Sequence, residues 1–434
     1  MLIDFSIKNF RSIREKQIFS MQPMKRIKEL KDNLSEHDEK LLKSAIVYGS
    51  NASGKSNLLR AFKALEFLVG TSDEFRIDEI IEPYEPYLLD ETSKKKPVEI
   101  EINFIAKNKI HYNYQIEFTE KEIKKEALYF FPKNKITKLF IREKGKKLVV
   151  GNSIKENLSE IENKLYPNQL FLSKVGKEKI DALIAPFRYL TRHFTVNISH
   201  RSTTEDSVIS VISESLKKYK KTSFEKNLNQ LLRVADTGIK GIKPVQHKET
   251  DFKFPKNVNK EMKDRIMKEN QFEIRANHDL YRNKKAVNNI SFPISEESTG
   301  TKKLLVIGSA ILSSLDDGDT IVIDELDKSL HPHLTALLIQ LFHSPKTNPR
   351  NAQLIFASHD VSLLSNKIFR RDQIYFAEKN TEGASKYYSL ADIKGIRKEL
   401  SFDKYYLKGF FGGTPFINKY DLNLEFTADE AKKK

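Results

Sequence analysis

The alternation of apolar and polar side chains divides the chain into stretches of strand and helix. Residues 1–20 alternate through Leu2, Asp4, Phe5 and Ile7, turn at Asn9-Phe10-Arg11-Ser12 and resume at Ile13. That period of two predicts a strand, a turn and a second strand. Residues 21–43 are charged and irregular, and the apolar run Ala45 to Tyr48 then predicts a strand, followed by a glycine-rich loop and an amphipathic helix from Ser56 through Phe67. Pro83, Pro86 and the polar run Thr92 to Pro97 mark residues 71–95 and their edge as a connection. Beyond it, Val98–Phe104 and His111–Phe118 alternate cleanly, and Leu139–Arg142 with Lys147–Val150 predicts a hairpin. Short loops and one-sided alternation point to an antiparallel sheet.

From 151 to about 285 the spacing turns helical, with helices predicted at Ser153–Leu165, Ser207–Lys221 and Ser223–Val234. The stretch 246–287 is lysine-rich with interleaved acids, and reads as a mobile insertion or a partner-binding arm. Residues 288–434 return to alternating helix and strand: a helix at 302–314, a strand at 319–324, a helix at 332–343, and strands at 353–358 and 373–378. Strands separated by helices predict a covered parallel sheet that rejoins the strand before the glycine-rich loop.

That loop changes the picture. Gly49-Ser50-Asn51-Ala52-Ser53-Gly54-Lys55-Ser56-Asn57 carries the P-loop pattern, with a strand before it and a helix after it. The glycines let backbone N–H groups turn onto a phosphate, and the helix N-terminus adds partial positive charge. In such a loop Lys55 reaches the β- and γ-phosphates of a nucleoside triphosphate, and the Ser56 hydroxyl holds Mg²⁺. A second apolar strand, Thr320 to Ile323, ends in Asp324-Glu325. Asp324 suits the magnesium site, and Glu325, at the strand's C-terminal edge, suits a general base acting on water. A third strand, Gln353 to Ala357, leads to His359, whose neutral imidazole can meet a γ-phosphate. Glu297-Ser298-Thr299-Gly300-Thr301 precedes an apolar helix and offers a second anion site or a plain helix cap.

Composition narrows the remaining classes. The 434 residues suffice for two or three domains, or for one α/β domain with large insertions, and they include no cysteine. A disulfide framework, a cysteine-based metal site and a cysteine nucleophile are therefore excluded. The first residues lack the basic and apolar regions of a signal peptide, and no apolar run approaches a membrane span, so the expectation is a soluble cytoplasmic protein. The net charge of +16 permits nucleic acid or an acidic protein as partner, but the lysines are widely spread and matched by many glutamates.

In this order the pieces resemble the ABC-type ATPase head of the RecF, SMC and OLD group: Asn9-Phe10-Arg11-Ser12, P-loop, long insertion, signature turn, acid pair, switch histidine. The resemblance implies a P-loop ABC-type ATPase head of α/β class, with an antiparallel β subdomain and a largely helical insertion. It implies ATP and Mg²⁺ as cofactors, and a homo-oligomer, at least a dimer. In it Ser298 and Gly300 contact the γ-phosphate of nucleotide bound by the partner subunit, Ser329-Leu330-His331 forms the D-loop across the interface, and Arg11 approaches the phosphates. Gln169 is the candidate for the Q-loop. The familiar Leu-Ser-Gly-Gly-Gln is replaced here by Glu297 to Thr301, a divergent signature. His331 and His333, two apart, do not share a helix face, which favours the D-loop over a metal site.

The resemblance divides the chain into 1–70 (ATPase N-terminal part with P-loop), 71–150 (antiparallel subdomain), 151–290 (helical insertion, an arm for partners or oligomerisation) and 291–434 (ATPase C-terminal part). A narrower likeness rests on Ala235-Asp236-Thr237-Gly238-Ile239, Glu297 to Thr301, Leu330-His331-Pro332 and Tyr406 to Pro415. These look like stand-alone ATPases of bacterial anti-phage systems, of the abortive-infection and RloA type and the AriA subunit of PARIS. That likeness implies a sensor and scaffold that controls a separate TOPRIM-like nuclease or toxin effector, with a phage protein as trigger. The chain after His359 is short and lacks the Glu plus Asp-x-Asp set of a TOPRIM nuclease. The alternative is a RecF-like ATPase of DNA repair. An ABC transporter subunit fits the signature and the insertion less well.

Overall fold

A computed structural model describes residues 1–415 except 37–38, 133–134, 198–204, 219–222, 236, 253, 255–257, 270 and 398. Asp236 of one motif phrase, residues 219–221 of one expected helix and the tail of the last expected segment lie outside the described residues.

In chain order the elements are β1 (Leu2–Lys8), β2 (Gln17–Ser20), β3 (Ser44–Gly49) and α1 (Lys55–Thr71). Then come β4 (Val98–Ile105), β5 (His111–Phe118), β6 (Ile123–Phe130), β7 (Thr137–Glu143), β8 (Val149–Val150), α2 (Ser159–Asn163), α3 (Phe171–Val175), α4 (Asp181–Arg192) and β9 (Phe194–Asn197). Next are α5 (Glu205–Lys218), α6 (Ser223–Val234), β10 (Gly241–Gln246), α7 (Lys260–Glu269), β11 (Phe272–Arg282) and β12 (Lys285–Pro293). Last are α8 (Thr299–Asp317), β13 (Thr320–Ile323), α9 (Pro332–His343), β14 (Gln353–Ala357), β15 (Ile374–Lys379), β16 (Ser385–Ser389) and α10 (Phe402–Leu407).

The central sheet has the order β16-β15-β3-β14-β13-β9. Its strands from β15 to β9 are parallel, and β16 closes one side antiparallel to β15. Parallel strands covered on both faces read as continuous apolar runs, and β3, β13 and β14 are buried at every position. The two-residue period assigns their side chains to two cores. Val47, Val322, Ile355 and Ala357 join the core formed with α1 and the antiparallel sheet β2-β1-β4-β5-β6-β7-β8. Ile46, Tyr48, Ile321, Ile323, Leu354 and Phe356 join the core formed with α5, α6, α8 and α9. The inward face of α1, Leu58, Leu59, Phe62, Leu65 and Leu68, is almost wholly buried. Each such side chain contributes about 1.5–3 kcal/mol. The helix that carries the P-loop lysine is thus wedged between two sheets.

The structure departs from the sequence expectation in identifiable places. The antiparallel sheet begins with β1 and β2, so a boundary at residue 70 does not separate it from the N-terminal strands. The segment 151–290 holds helices and also β9, which extends the central sheet, and the separate antiparallel sheet β10-β11-β12. Solvation hid these strands: β12 is exposed along most of its length, and in β11 only Ile274 and Ala276 are buried, so charge and asparagine replace an apolar rhythm. The charged stretch 246–287 is therefore in good part helix and hairpin. β6 was hidden by Lys124, Lys125 and Glu126. The expected helix at Ser153–Leu165 is limited to α2.

Candidate functional site

β3, β14 and β13 lie side by side, with Phe356 level with Ile46 on one side and with Ile323 on the other. Their C-terminal ends therefore release three loops along one edge: the P-loop after Gly49, the histidine loop after Ala357, and the acid loop after Ile323. In open α/β sheets this edge is where ligands bind.

The P-loop conformation demands its glycines. Gly54 has φ of +112°, and a Cβ there would lie 2.2 Å from Ser385 Oγ. A Cβ on Gly49 would meet Ala377 O and Ser53 Oγ at 2.5 Å. Asn51 and Ala52 are exposed at the tip, whereas Ser53, Gly54 and Lys55 are buried. Lys55 Nζ donates to the carbonyls of Gly49 at 2.8 Å and Ser50 at 3.0 Å. Burial lowers its pKa to about 8, against the opposing pull of Asp324, Glu325 and Asp327. The ammonium is thus held inside the loop, close to three carboxylates. Ser53 Oγ is buried with no partner among the described residues.

Residues beyond Gly49 to Asn57 brace this loop: Ser12 and Gly412-Gly413 stood in motif phrases without a bracing role, and Ser385 and Tyr387 stood in none. Ser385 Oγ donates to Ser53 O and accepts from the Ser12 hydroxyl, each at 2.7 Å, and Tyr387 Oη donates to Gly54 O at 2.7 Å. Asn57 Nδ2 donates to Ser12 Oγ at 2.7 Å. The pair Gly412-Gly413 takes φ of +71° and +66°, and the Gly413 N–H donates to Glu378 Oε1 at 2.6 Å. A Cβ on Gly413 would come within 3.6 Å of Gly49 Cα. The alternation in Ser-Lys-Tyr-Tyr-Ser at 385–389 is the signal from which β16 could have been read.

Arg11, expected near the phosphates, has its guanidinium fork on Glu85: Nε donates to one carboxylate oxygen at 2.6 Å and Nη2 to the other at 2.5 Å. Its third contact, Nη1 to Asn57 Oδ1 at 3.4 Å, links it to the start of α1. Gln169 does not serve as a Q-loop. It is buried, and its amide donates to Asp73 O and Phe75 O at 3.0 and 2.9 Å and accepts from Tyr166 N. Asp73 and Phe75 follow directly on α1 and Tyr166 precedes α3, so the side chain is committed to joining these segments.

On the acid loop, burial raises the Asp324 pKa, and a hydrogen bond from Ser56 lowers it. Asp324 Oδ1 is buried without a partner among the described residues. A hydroxyl beside a buried carboxylate oxygen that lacks a donor fits Mg²⁺, which takes one or two protein oxygens and fills its shell from phosphates and water. Glu325 has φ of +52° and pairs with Lys328 at 3.0 Å, its side chain 44% exposed. His359 is exposed at the end of the neighbouring strand, and its N–H donates to Asp327 Oδ2 at 3.3 Å. Although the residue is exposed overall, partial desolvation of its ring first and Lys55 second lower its pKa, which favours the neutral ring.

The signature turn is built differently. Ser298 caps α8, its Oγ accepting from Thr301 N at 3.1 Å, a bond worth about 1 kcal/mol. A Cβ on Gly300 would lie 3.0 Å from Ser329 O, so the start of α8 rests against the backbone of the turn at Ser329. Glu297 Oε1 pairs with His278 Nε2 of β11 at 2.7 Å. Ser298 is exposed, and its side-chain hydrogen bonds go to Thr301 rather than to residues 49–57. His331 caps α9 by accepting from His333 N at 3.2 Å, which gives the His-Pro-His sequence a structural use.

Among the described residues, no helix is long and apolar enough to cross a membrane. A search among curated proteins finds no match. Among solved structures, the chain is similar to the SMC head domain from Thermotoga maritima (13% identity, 89% of this chain, 98% of that chain, TM-score 0.39). It is also similar to an SMC head domain with an extended coiled coil, bound to the C-terminal domain of ScpA, from Pyrococcus furiosus (13% identity, 89% and 96% coverage, TM-score 0.40). A third is the recombination mediator protein RecF with ATP (12% identity, 89% and 97% coverage, TM-score 0.35). Likenesses this weak leave fold and function to be argued from the chain itself. A family model described as "AAA domain, putative AbiEii toxin, Type IV TA system" matches residues 44–365, from the first residue of β3 through the histidine loop. Since that match covers more than half of the chain, the protein belongs to this AAA-domain family.

Proposed function

We propose that the protein is an ATPase whose site is shared between two copies, and that it serves as the sensor and scaffold subunit of an anti-phage, abortive-infection system. The observation that carries the reading is the half-built site. P-loop, acid pair and histidine converge on one sheet edge, while Ser298 stands exposed at the head of another helix. In this reading residues 49–57 cradle the phosphates, Lys55 meets the β- and γ-phosphates, and Ser298 with Gly300 of a second copy closes on the γ-phosphate. Arg11 joins them once its fork is released from Glu85. Glu325 takes the proton of the attacking water as general base, and the neutral His359 hydrogen-bonds the γ-phosphate. Ser56 and Asp324 hold Mg²⁺, which supplies charge neutralisation on the phosphates when bound.

Two nucleotides clamped between copies would tie nucleotide state to subunit geometry, the lever by which a scaffold holds or frees a separate nuclease or toxin in the cytoplasm when a phage protein triggers it. The family description, with its AbiEii toxin and type IV toxin–antitoxin system, supports a defence setting. The second reading, a RecF-like ATPase that binds DNA, is favoured by the net charge of +16. Copurification from the native host separates them. A stoichiometric effector protein, with DNA affinity that is weak and lost with salt, supports the defence role; tight ATP-dependent DNA binding without a partner contradicts it.

A further inference from the structure

A third carboxylate, Asp327, belongs to this edge, and the roles described so far leave it unused. The acid loop is folded tightly: Lys328 N donates to Glu325 O at 3.0 Å and Leu330 N to Asp327 O at 3.1 Å, with Leu326 fully buried between them. Because β13 and β14 are parallel neighbours, this loop runs beside the one that carries His359. Asp327 bridges the two loops, its Oδ2 accepting the backbone N–H of His359 at 3.3 Å. Its other oxygen, Oδ1, is buried and has no hydrogen-bond partner among the described residues. An ionised carboxylate oxygen accepts bonds only, so a buried one with no donor is an open acceptor for an N–H or O–H. Asp327 also lies close enough to raise the proton affinity of both Lys55 and His359.

The imidazole whose charge this carboxylate favours belongs to the residue whose backbone Asp327 already holds. We propose that Asp327 is a positioning residue for His359: Oδ1 accepts one ring N–H, fixing the tautomer and orientation of the imidazole and turning its other nitrogen toward the terminal phosphate. A histidine with both nitrogens free samples two tautomers and several ring orientations, and a fixed acceptor on one nitrogen selects among them. The same carboxylate then ties the acid loop to the histidine loop, so the general base and the phosphate contact move as one unit. This inference rests on the ATP-site reading above.

The test uses the full chain with Asp327→Asn, which keeps the side-chain volume but places an amide where one of the two acceptor oxygens stood. The expected result is a fall in kcat of about tenfold with KM for ATP within about twofold, and an unchanged thermal midpoint without nucleotide. In the His359→Ala background, Asp327→Asn is expected to cause no further loss, because the ring it orients is gone. That comparison holds even if Asp327→Asn alone lowers the thermal midpoint. Wild-type kcat in Asp327→Asn, or a double variant that loses the product of the two single effects, would overturn the inference. Lys55→Ala serves as the reference: if ATP turnover does not depend on Lys55, the ATP-site reading itself fails, whereas turnover that needs Lys55 but ignores Asp327 sinks this inference alone.

Discussion

The P-loop and the turn at Ser298 both lead into helix N-termini, yet the chain treats them oppositely. In the P-loop Gly49 and Ser53 to Lys55 are buried, and the loop is braced from three sides, by Ser12 through Asn57, by Ser385 and Tyr387 of β16, and by the Gly412-Gly413 turn. Its lysine already points into the loop. The turn at Ser298 has an exposed cap serine bonded to Thr301 of its own helix, Glu297 paired with His278 of β11, and Gly300 against the Ser329 carbonyl; among the described residues that serine makes no bond to the P-loop. Burial and bracing fix a group that must bind alone. Exposure is what a group needs when its ligand arrives on another molecule. The contrast is the physical basis for reading one chain as half of a site.

Substitutions on the two faces should therefore fail in different ways. The largest effect is expected from Lys55→Ala, which removes the ammonium from the loop and should weaken ATP binding about 100-fold, measured by fluorescent-nucleotide titration. Ser298→Arg should leave that titration within about twofold yet lower ATP turnover by tenfold or more, roughly the loss of one transition-state contact. Equal weakening of binding by the two substitutions would erase the contrast between the faces.

The smallest effect is a proton. In the free site Lys55 titrates near pH 8, because burial disfavours its charge. Phosphates placed beside it favour the ammonium and raise its pKa. Near pH 9 the free lysine is mostly neutral and the bound one charged, so ATP binding should take up most of a proton at this group. Calorimetry in buffers of different ionisation enthalpy would read this uptake, and Lys55→Ala should abolish it. Below about pH 7 the lysine is charged in both states, and the uptake from this group should vanish.

How much of this was legible depended on whether a residue's neighbours lay nearby in sequence. Gly49 to Ser56, the acid-tipped run at 320–325 and the run at 353–357 announce themselves, because continuous apolar strands and glycine punctuation are local signals. That these three strands lie side by side was expected only as a covered sheet, and their register is a tertiary fact. Ser385 and Tyr387 carry no motif, and Ser12 was read only as the end of Asn9-Phe10-Arg11-Ser12; their bracing role exists because chain ends more than 300 residues apart meet at the P-loop. Gln169 misled for the converse reason: a glutamine at a suggestive position has its amide consumed by Asp73 and Phe75. The strands β10 to β12 were missed because a solvated sheet has no apolar rhythm to read. Arg11 was singled out by its motif, but its bidentate pairing with Glu85, which lies 74 residues away, was invisible without the fold.

The most direct measurement is complementation between two inactive variants. Lys55→Ala lacks a working P-loop but keeps its signature turn; Ser298→Arg has the reverse. Each alone should be nearly inactive, and in a mixed dimer one composite site combines the intact Lys55 of one copy with the intact Ser298 of the other. Mixing the purified variants with subunit exchange should restore ATP turnover to roughly a quarter of the wild-type level, since half the dimers are mixed and each holds one good site. Full turnover by Ser298→Arg alone, or no recovery on mixing two folded and exchanging variants, would contradict the account that the site is shared between copies.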